Sequence, residues 1–109
     1  GMNYDLGGLE IDKILKYVKE HDTIYDQMIV YGSAITEIAT DRHFLEIAVR
    51  MINIEHNNDM NILFELLCAA NEATDGKVEV YVINDPDLLE EFRDLILTTG
   101  EIIYESTTK

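Results

Sequence analysis

A glycine and a serine, Gly32 and Ser33, stand directly after the apolar run 28–31 and before a stretch of small and polar residues. The apolar run predicts a buried strand, and the residues after it predict a short helix over 33–38. Such a turn can hold a phosphate group, because backbone N–H groups point outward at a helix N-terminus. A tight turn also favours glycine for its backbone freedom alone. The pair is therefore either a phosphate site or a purely structural turn.

Two later strand segments each carry a carboxylate among apolar residues. Segment 44–54 is the longest strand candidate, and segment 77–83 is the next. Because side chains alternate between the faces of a strand, Glu46 shares a face with Phe44, and Glu79 shares a face with Tyr81. The opposite face of the first segment carries Leu45, Ile47, Val49 and Met51.

The remaining elements are helices with clear ends. Apolar residues at helical spacing predict a first helix over 9–20, and a second one that begins at the N-cap candidates 57–59 and ends before Gly76. Asp85 and Pro86 predict the start of a third helix, which Gly100 ends, and residues 102–104 suggest a short edge strand. This order predicts the α/β (α+β) class.

The length and composition predict one domain. A chain of 109 residues with 47% hydrophobic residues can bury a sizeable core. We expect residues 1–8 to be an irregular lead-in, with Gly1 before Met2 as a scar of tag removal. Residues 9–105 then form the domain, and residues 106–109 a polar tail.

Acidic residues outnumber basic ones by 22 to 8, which gives a formal net charge of −14. This charge repels phosphate backbones and argues against binding of extended nucleic acid. A small nucleotide carried with Mg²⁺ is compatible, because a bound metal dominates the local charge, and so is a basic protein partner. No apolar stretch approaches the roughly 18 residues of a membrane span. With a single cysteine, Cys68, and hence no intramolecular disulfide, we expect a cytoplasmic protein.

The order of elements, with Gly32-Ser33 after the first strand, resembles the minimal nucleotidyltransferases, small members of the DNA polymerase beta-like superfamily. The C-terminal sequence VEVYVINDPDLLEEFRDLILTTGEIIYES also resembles the last strand, final helix and Tyr-Glu ending of that family. The resemblance implies a nucleotidyltransferase-like fold, in which a small mixed sheet of about four strands packs against three longer helices.

In that family the Gly-Ser turn holds the nucleotide phosphates. An Asp-x-Asp pair about a dozen residues later and a third carboxylate on the next strand hold two Mg²⁺ ions. By resemblance, Gly32 and Ser33 are candidates for phosphate binding, and Glu46 and Glu79 match the second and third carboxylates. Carboxylate oxygens suit Mg²⁺, and paired metals stabilise the attacking and leaving oxygens of phosphoryl chemistry.

The first carboxylate of the motif is missing, because Phe44 occupies its place. Asp41 lies five residues before Glu46, and in a regular strand an odd separation puts two side chains on opposite faces. Asp41 would therefore reach a shared metal only by folding back from the loop. Alternatively, Phe44 fills the space of metal and substrate, while Glu46 faces solvent or pairs with Arg42 or Arg50.

Two functions of different classes fit this pattern. A domain that has lost catalysis acts through its surface; minimal nucleotidyltransferases are often paired with all-helical nucleases of the HEPN type, so the resemblance implies an antitoxin-like module with a HEPN-type partner. Alternatively, the chain is an Mg-dependent enzyme that moves a nucleotide from ATP to a protein or small-molecule hydroxyl. A sensor that binds ATP or another nucleotide without turnover is a third hypothesis. An exposed sheet edge suggests a homodimer.

Overall fold

The computed structural model of the chain describes residues 8–32 and 44–106. The predicted helix over 33–38, together with Ser33 and Asp41, lies outside these residues. The predicted architecture of about four strands and three longer helices is confirmed. The helices and strands in chain order are α1 (Gly8–Glu20), β1 (Tyr25–Tyr31), β2 (Leu45–Met51), α2 (Met60–Thr74), β3 (Val78–Val82), α3 (Glu90–Thr99) and β4 (Glu101–Glu105).

The strands form one mixed sheet in the order β3-β2-β1-β4. β1 pairs antiparallel with both β2 and β4, whereas β2 pairs parallel with β3. The parallel pair needs a long crossover connection, and α2 supplies it. In the part of the chain that the structure describes, β3 and β4 are the edge strands, and each has one side without a strand partner.

The sheet has two covered faces. Helices α1 and α2 pack on one face, where alternate residues of β2 enter the main core as the sequence predicted; that core contains Leu45, Ile47, Val49 and Met51. Helix α3 covers the other face through Ile96, which packs with Ile29, Tyr31 and Ala48. The carboxylates of Glu46 and Glu79 belong to this second face, because they alternate with residues of the main core.

Strand β1 begins at Tyr25, three residues before the apolar run that predicted it. Within β1, Asp26 is an inserted residue, which shifts the register between Tyr25 and Gln27 relative to β2. Such a bulge breaks the alternation of side chains. Asp26 is only 4% exposed, and its carboxylate forms an ion pair with the Arg50 guanidinium at 2.7 Å.

The ends of the helices follow local capping chemistry. The Asp59 side chain caps α2 by accepting from the Asn61 amide at 2.9 Å, as the sequence predicted. The expected start of the third helix at Asp85-Pro86 is wrong, because α3 begins at Glu90. Asp85 instead accepts from the Asp87 amide at 2.9 Å and forms a turn within the connecting loop.

Strand β2 also ends earlier than predicted, at Met51 rather than at residue 54. The next residues form a short 3-10 helix, Ile54–Asn58, whose first turn is capped by Asn53 through a 3.0 Å bond from the Glu55 amide. Across residues 8–32 and 44–106, the structure has no helix long and apolar enough to cross a membrane.

Candidate functional site

The Gly32 turn follows the C-terminal end of β1, next to the sheet face that α3 covers. Gly32 has a φ of +77°, a conformation that favours glycine. Its neighbour Tyr31 is paired with Glu46 of β2. The Glu46 side chain reaches over the turn, since a Cβ built on Gly32 would stand 2.6 Å from the Glu46 Cδ and closer still to one carboxylate oxygen. Thus a negative charge lies directly against the candidate phosphate turn.

Glu46 and Glu79 stand opposite each other in the register of the parallel pair β2–β3. The two carboxylates therefore project from neighbouring strands on the same face of the sheet. Glu79 is exposed, whereas Glu46 is half-buried. Like charges placed opposite each other are unfavourable unless a cation lies between them. Among the residues that the structure describes, no ion pair links a cation to either carboxylate.

The hydroxyl of Tyr31 faces the same region. Tyr31 is 2% exposed, and among the described residues its hydroxyl has no hydrogen-bond partner. Burial is the main cause that raises the pKa of this phenol, followed by the charges of Glu46, Tyr81 and Glu79. The phenol therefore stays protonated beside the two carboxylates over the ordinary pH range. The site thus contains a buried O–H donor that has no acceptor within residues 8–32 and 44–106.

An aromatic cluster supports this corner of the sheet. The ring of Phe92, on α3, meets Tyr31 edge to face at a centroid distance of 5.9 Å and Tyr81 at 5.0 Å. These contacts fix the Tyr31 ring, because edge-to-face pairs add to the energy of burial. The sequence interpretation assigned no role at this site to Phe92 or Tyr81. The signal was weak, since their proximity depends on how α3 lies on the sheet.

Phe44, the residue in place of the first carboxylate, stands immediately before β2 and is 44% exposed. Its ring is thus not enclosed by the described residues. The sequence hypothesis that Phe44 fills the space of metal and substrate finds no support in this exposure. Phe44 still removes a hard oxygen ligand from the position where the resemblance places one.

The expected pairing of Glu46 with Arg50 is wrong, because Arg50 bonds to Asp26 instead. Arg50 pairs with Gln27 in the register of β1 and β2, and Asp26, at the bulge beside Gln27, accepts a 2.7 Å hydrogen bond from the Arg50 guanidinium. Arg42, the other suggested partner, lies outside the described residues.

The carboxylates only partly match the family's metal site. Glu46 and Glu79 offer two donors from adjacent strands. Within residues 8–32 and 44–106, no group of three or more His, Cys, Asp or Glu side chains is placed to hold a metal ion. Asp41 and Ser33, the other candidate residues, are outside this range. The described donors therefore fall short of the three carboxylates of the family motif.

Comparisons with known proteins agree with the fold. No protein-family model matches the chain, and no curated protein matches it significantly. The chain is similar to a crystal structure described as a "putative nucleotidyltransferase" from Sulfolobus solfataricus, with a TM-score of 0.52 and 15% sequence identity. The match covers 99% of this chain and 94% of that one. The chain has a nucleotidyltransferase-like fold.

The candidate residues lie close to one another in this fold. The Gly32 turn, Glu46 and Glu79 lie together on one face of the sheet, at the same end of the strands β1, β2 and β3. The sequence located these three residues separately, and the register of β2 with its two neighbours brings them into one site. Tyr31 joins them from β1.

Proposed function

We propose that this nucleotidyltransferase-like domain acts by binding another protein and does not transfer nucleotides. The observation that carries the proposal is the position of the Glu46 carboxylate, which lies against Gly32 where the resemblance places nucleotide phosphates. A carboxylate in that position repels a phosphate and occupies its space. A carboxylate against Gly32 therefore disfavours an anion at this position.

The loss of the first carboxylate supports the same conclusion. Phe44 supplies no oxygen ligand, so a metal at this site would rest on Glu46 and Glu79 among the described residues. Two-metal phosphoryl chemistry requires each ion to be clamped by several hard ligands. With fewer carboxylates, the ions that would screen Glu46 from a phosphate bind weakly.

The partner that the resemblance suggests is an all-helical protein of the HEPN type, which would make this chain an antitoxin-like module. The formal charge of −14 suits a partner with a basic surface. Acidic charge of this size speeds association with a basic protein and discourages binding of nucleic acid. A cytoplasmic location belongs to this proposal.

The alternative is an active Mg-dependent nucleotidyltransferase with ATP as donor and a protein or small-molecule hydroxyl as acceptor. One observation favours it: Glu46, Glu79 and the unpartnered hydroxyl of Tyr31 converge without a protein cation among the described residues. In that case Glu46 and Glu79 would hold Mg²⁺, with Asp41 as a further candidate, and Gly32 and Ser33 would contact phosphates. Bound Mg²⁺ would supply charge stabilisation to the transferred group.

Titration calorimetry with Mg-ATP separates the two functions. The ligand is raised to about 1 mM, the upper end of usual substrate affinities, with wild-type protein and the Glu46→Gln variant. The proposal predicts no saturable heat for wild-type protein with or without Mg²⁺. Metal-dependent binding that disappears in Glu46→Gln would overturn it, and a transfer assay with labelled ATP would then establish the enzyme.

A further inference from the structure

Helix α2 carries an exposed apolar stripe, which we define as Met60, Phe64 and Leu67. These side chains are 80%, 66% and 39% exposed. Their spacing of i, i+4 and i+7 places them on one line along the helix. Exposed apolar residues are common singly, but a contiguous row on one helix indicates a contact surface.

The other sides of α2 are already used by the fold. Leu66 and Ala70 are fully buried against the sheet. Ala69 and Ala73 line a groove shared with α1. At about 100° per residue, Phe64 lies roughly 140° from Ala69 and 180° from Ala73 around the helix axis. The stripe therefore faces away from α1.

This direction leads to the edge of the sheet. Helix α1 packs on β1, and α2 packs on β3. Because β3 is an edge strand of the described sheet, the stripe lies beside the open edge. Nothing in the described chain covers it, and a partner can approach α2 from the side without displacing any element of the core.

The charges around the stripe determine what fits it. From residue 51 to residue 76 the sequence contains no Lys or Arg. Asp59 caps the start of α2 directly before Met60, and Asp75 caps its end, whereas Glu72 lines the groove with α1 on the other side of the helix. The stripe thus begins beside Asp59 in a segment, residues 51–76, that carries carboxylates but no Lys or Arg and that we call the acidic segment. A second copy of this chain would bring the same negative charges against it.

We propose that the α2 stripe is the docking surface for a basic amphipathic helix of a partner protein. Apolar residues of that helix at i, i+3, i+4 and i+7 would cover Met60, Phe64 and Leu67, as in helix-in-groove recognition. Its Lys and Arg residues would face the acidic segment. This inference rests on the proposed protein-binding function and names the surface and the chemistry of the partner.

The test uses a designed 18-residue peptide of Leu and Lys with helical spacing, labelled for fluorescence anisotropy. A matched peptide has Glu in place of every Lys. The test variants are Phe64→Ser and Met60→Ser, whose side chains are exposed, so both variants are expected to fold. The control is Leu89→Ser, since Leu89 is 72% exposed but precedes α3 on the other face of the sheet. Circular dichroism checks the fold of each variant.

We expect the Lys peptide to bind wild-type protein and the Glu peptide not to bind. Phe64→Ser is expected to weaken binding about tenfold, the effect of losing a buried aromatic anchor, and Leu89→Ser less than about twofold. Equal binding by Phe64→Ser and wild type would overturn the proposal. So would sedimentation showing a wild-type dimer that Phe64→Ser dissociates, because the occupant would then be a second copy.

The outcomes of this test and of the nucleotide titration are distinguishable. The stripe lies on the face of α2, whereas Gly32, Glu46 and Glu79 lie on the opposite face of the sheet. If wild-type protein binds Mg-ATP, and also binds the peptide in a way that Phe64→Ser abolishes, the proposed function is refuted but the docking surface is retained. If wild-type protein binds neither the peptide nor Mg-ATP, the docking surface alone is refuted.

Discussion

The carboxylate of Glu46 occupies the space that a side chain at position 32 would need, so any side chain at position 32 competes with Glu46 for the same space. A Cβ on residue 32 would stand 2.6 Å from the Glu46 Cδ, well inside van der Waals contact. The Glu46 carboxylate is the end of a flexible side chain and can move aside, so the glycine is required chiefly by its φ of +77°. This relationship gives the turn a structural reason that does not involve a nucleotide.

We expect Gly32→Ala to lower the free energy of unfolding by about 2 kcal/mol, of which about 1 kcal/mol is the cost of the left-handed backbone and about 1 kcal/mol the cost of moving the Glu46 carboxylate to another rotamer. Gly76→Ala is the matched control, because Gly76 has a φ of +82° but no atom within 4 Å of a built Cβ. It should cost only about 1 kcal/mol. Urea denaturation measures both. Equal losses in the two variants would contradict the contact between residue 32 and Glu46.

The double variant Gly32→Ala/Glu46→Ala extends this test. Removing the Glu46 carboxylate should return the part of the loss that comes from moving that side chain, about 1 kcal/mol. The part due to backbone strain should remain. Strict additivity of the two substitutions would show that the side chains do not compete for the same space.

Tyr31 should give the domain a dependence on alkaline pH. Burial and the nearby carboxylates raise the pKa of Tyr31 above its ordinary value of 10.0. The folded state thus holds the phenolic proton more tightly than the unfolded state. The stability from this difference is fully present below pH 10 and is lost as the pH rises from 10 toward the folded pKa.

Tyr31→Phe is therefore expected to flatten the loss of stability above pH 10. At pH 7 the same variant should be as stable as wild type or slightly more stable, because it removes a buried hydroxyl that has no partner among the described residues. Urea denaturation at pH 7 and at several pH values above 10 checks both points. A loss above about 1 kcal/mol at pH 7 would indicate that the hydroxyl makes a favourable bond.

Glu79→Gln should stabilise the domain by about 0.5 kcal/mol, because it removes a like charge opposite Glu46. The gain should shrink in 0.5 M NaCl, where exposed charges are screened, and should vanish in the Glu46→Gln background. Thermal melts of the four proteins in this cycle measure the effect. If Glu79→Gln is destabilising when Mg²⁺ is present and neutral when it is removed, the two carboxylates bind the metal together.

Local patterns were sufficient to predict much of the fold. The alternation of apolar residues in β2 correctly predicted which side chains face the core. Asp59 marked the start of α2, because its side chain accepts a hydrogen bond from the Asn61 amide. These features depend on neighbours only a few residues away along the chain. The Gly-Ser turn and the two carboxylates were likewise visible as residue types.

Features that depend on distant contacts were missed. The bulge at Asp26 lies where that residue bonds to Arg50, 24 residues later, and no local pattern indicates it. The opposition of Glu46 and Glu79 follows from the parallel register of β2 and β3, which no local pattern fixes. Asp85 has the chemistry of a helix cap, yet it caps a turn because the chain makes another turn before α3.

The central claim is that the domain works without binding a nucleotide at the Gly32 turn. The most direct test is the melting temperature of wild-type protein with and without Mg-ATP, beside Phe44→Asp, which restores the missing carboxylate. A ligand present at 100 times its Kd stabilises a protein by about 2.7 kcal/mol, which is a shift of several degrees. We predict a wild-type shift below about 1 °C and a Mg-dependent rise only in Phe44→Asp. A saturable, Mg-dependent rise in the wild-type protein would contradict the claim.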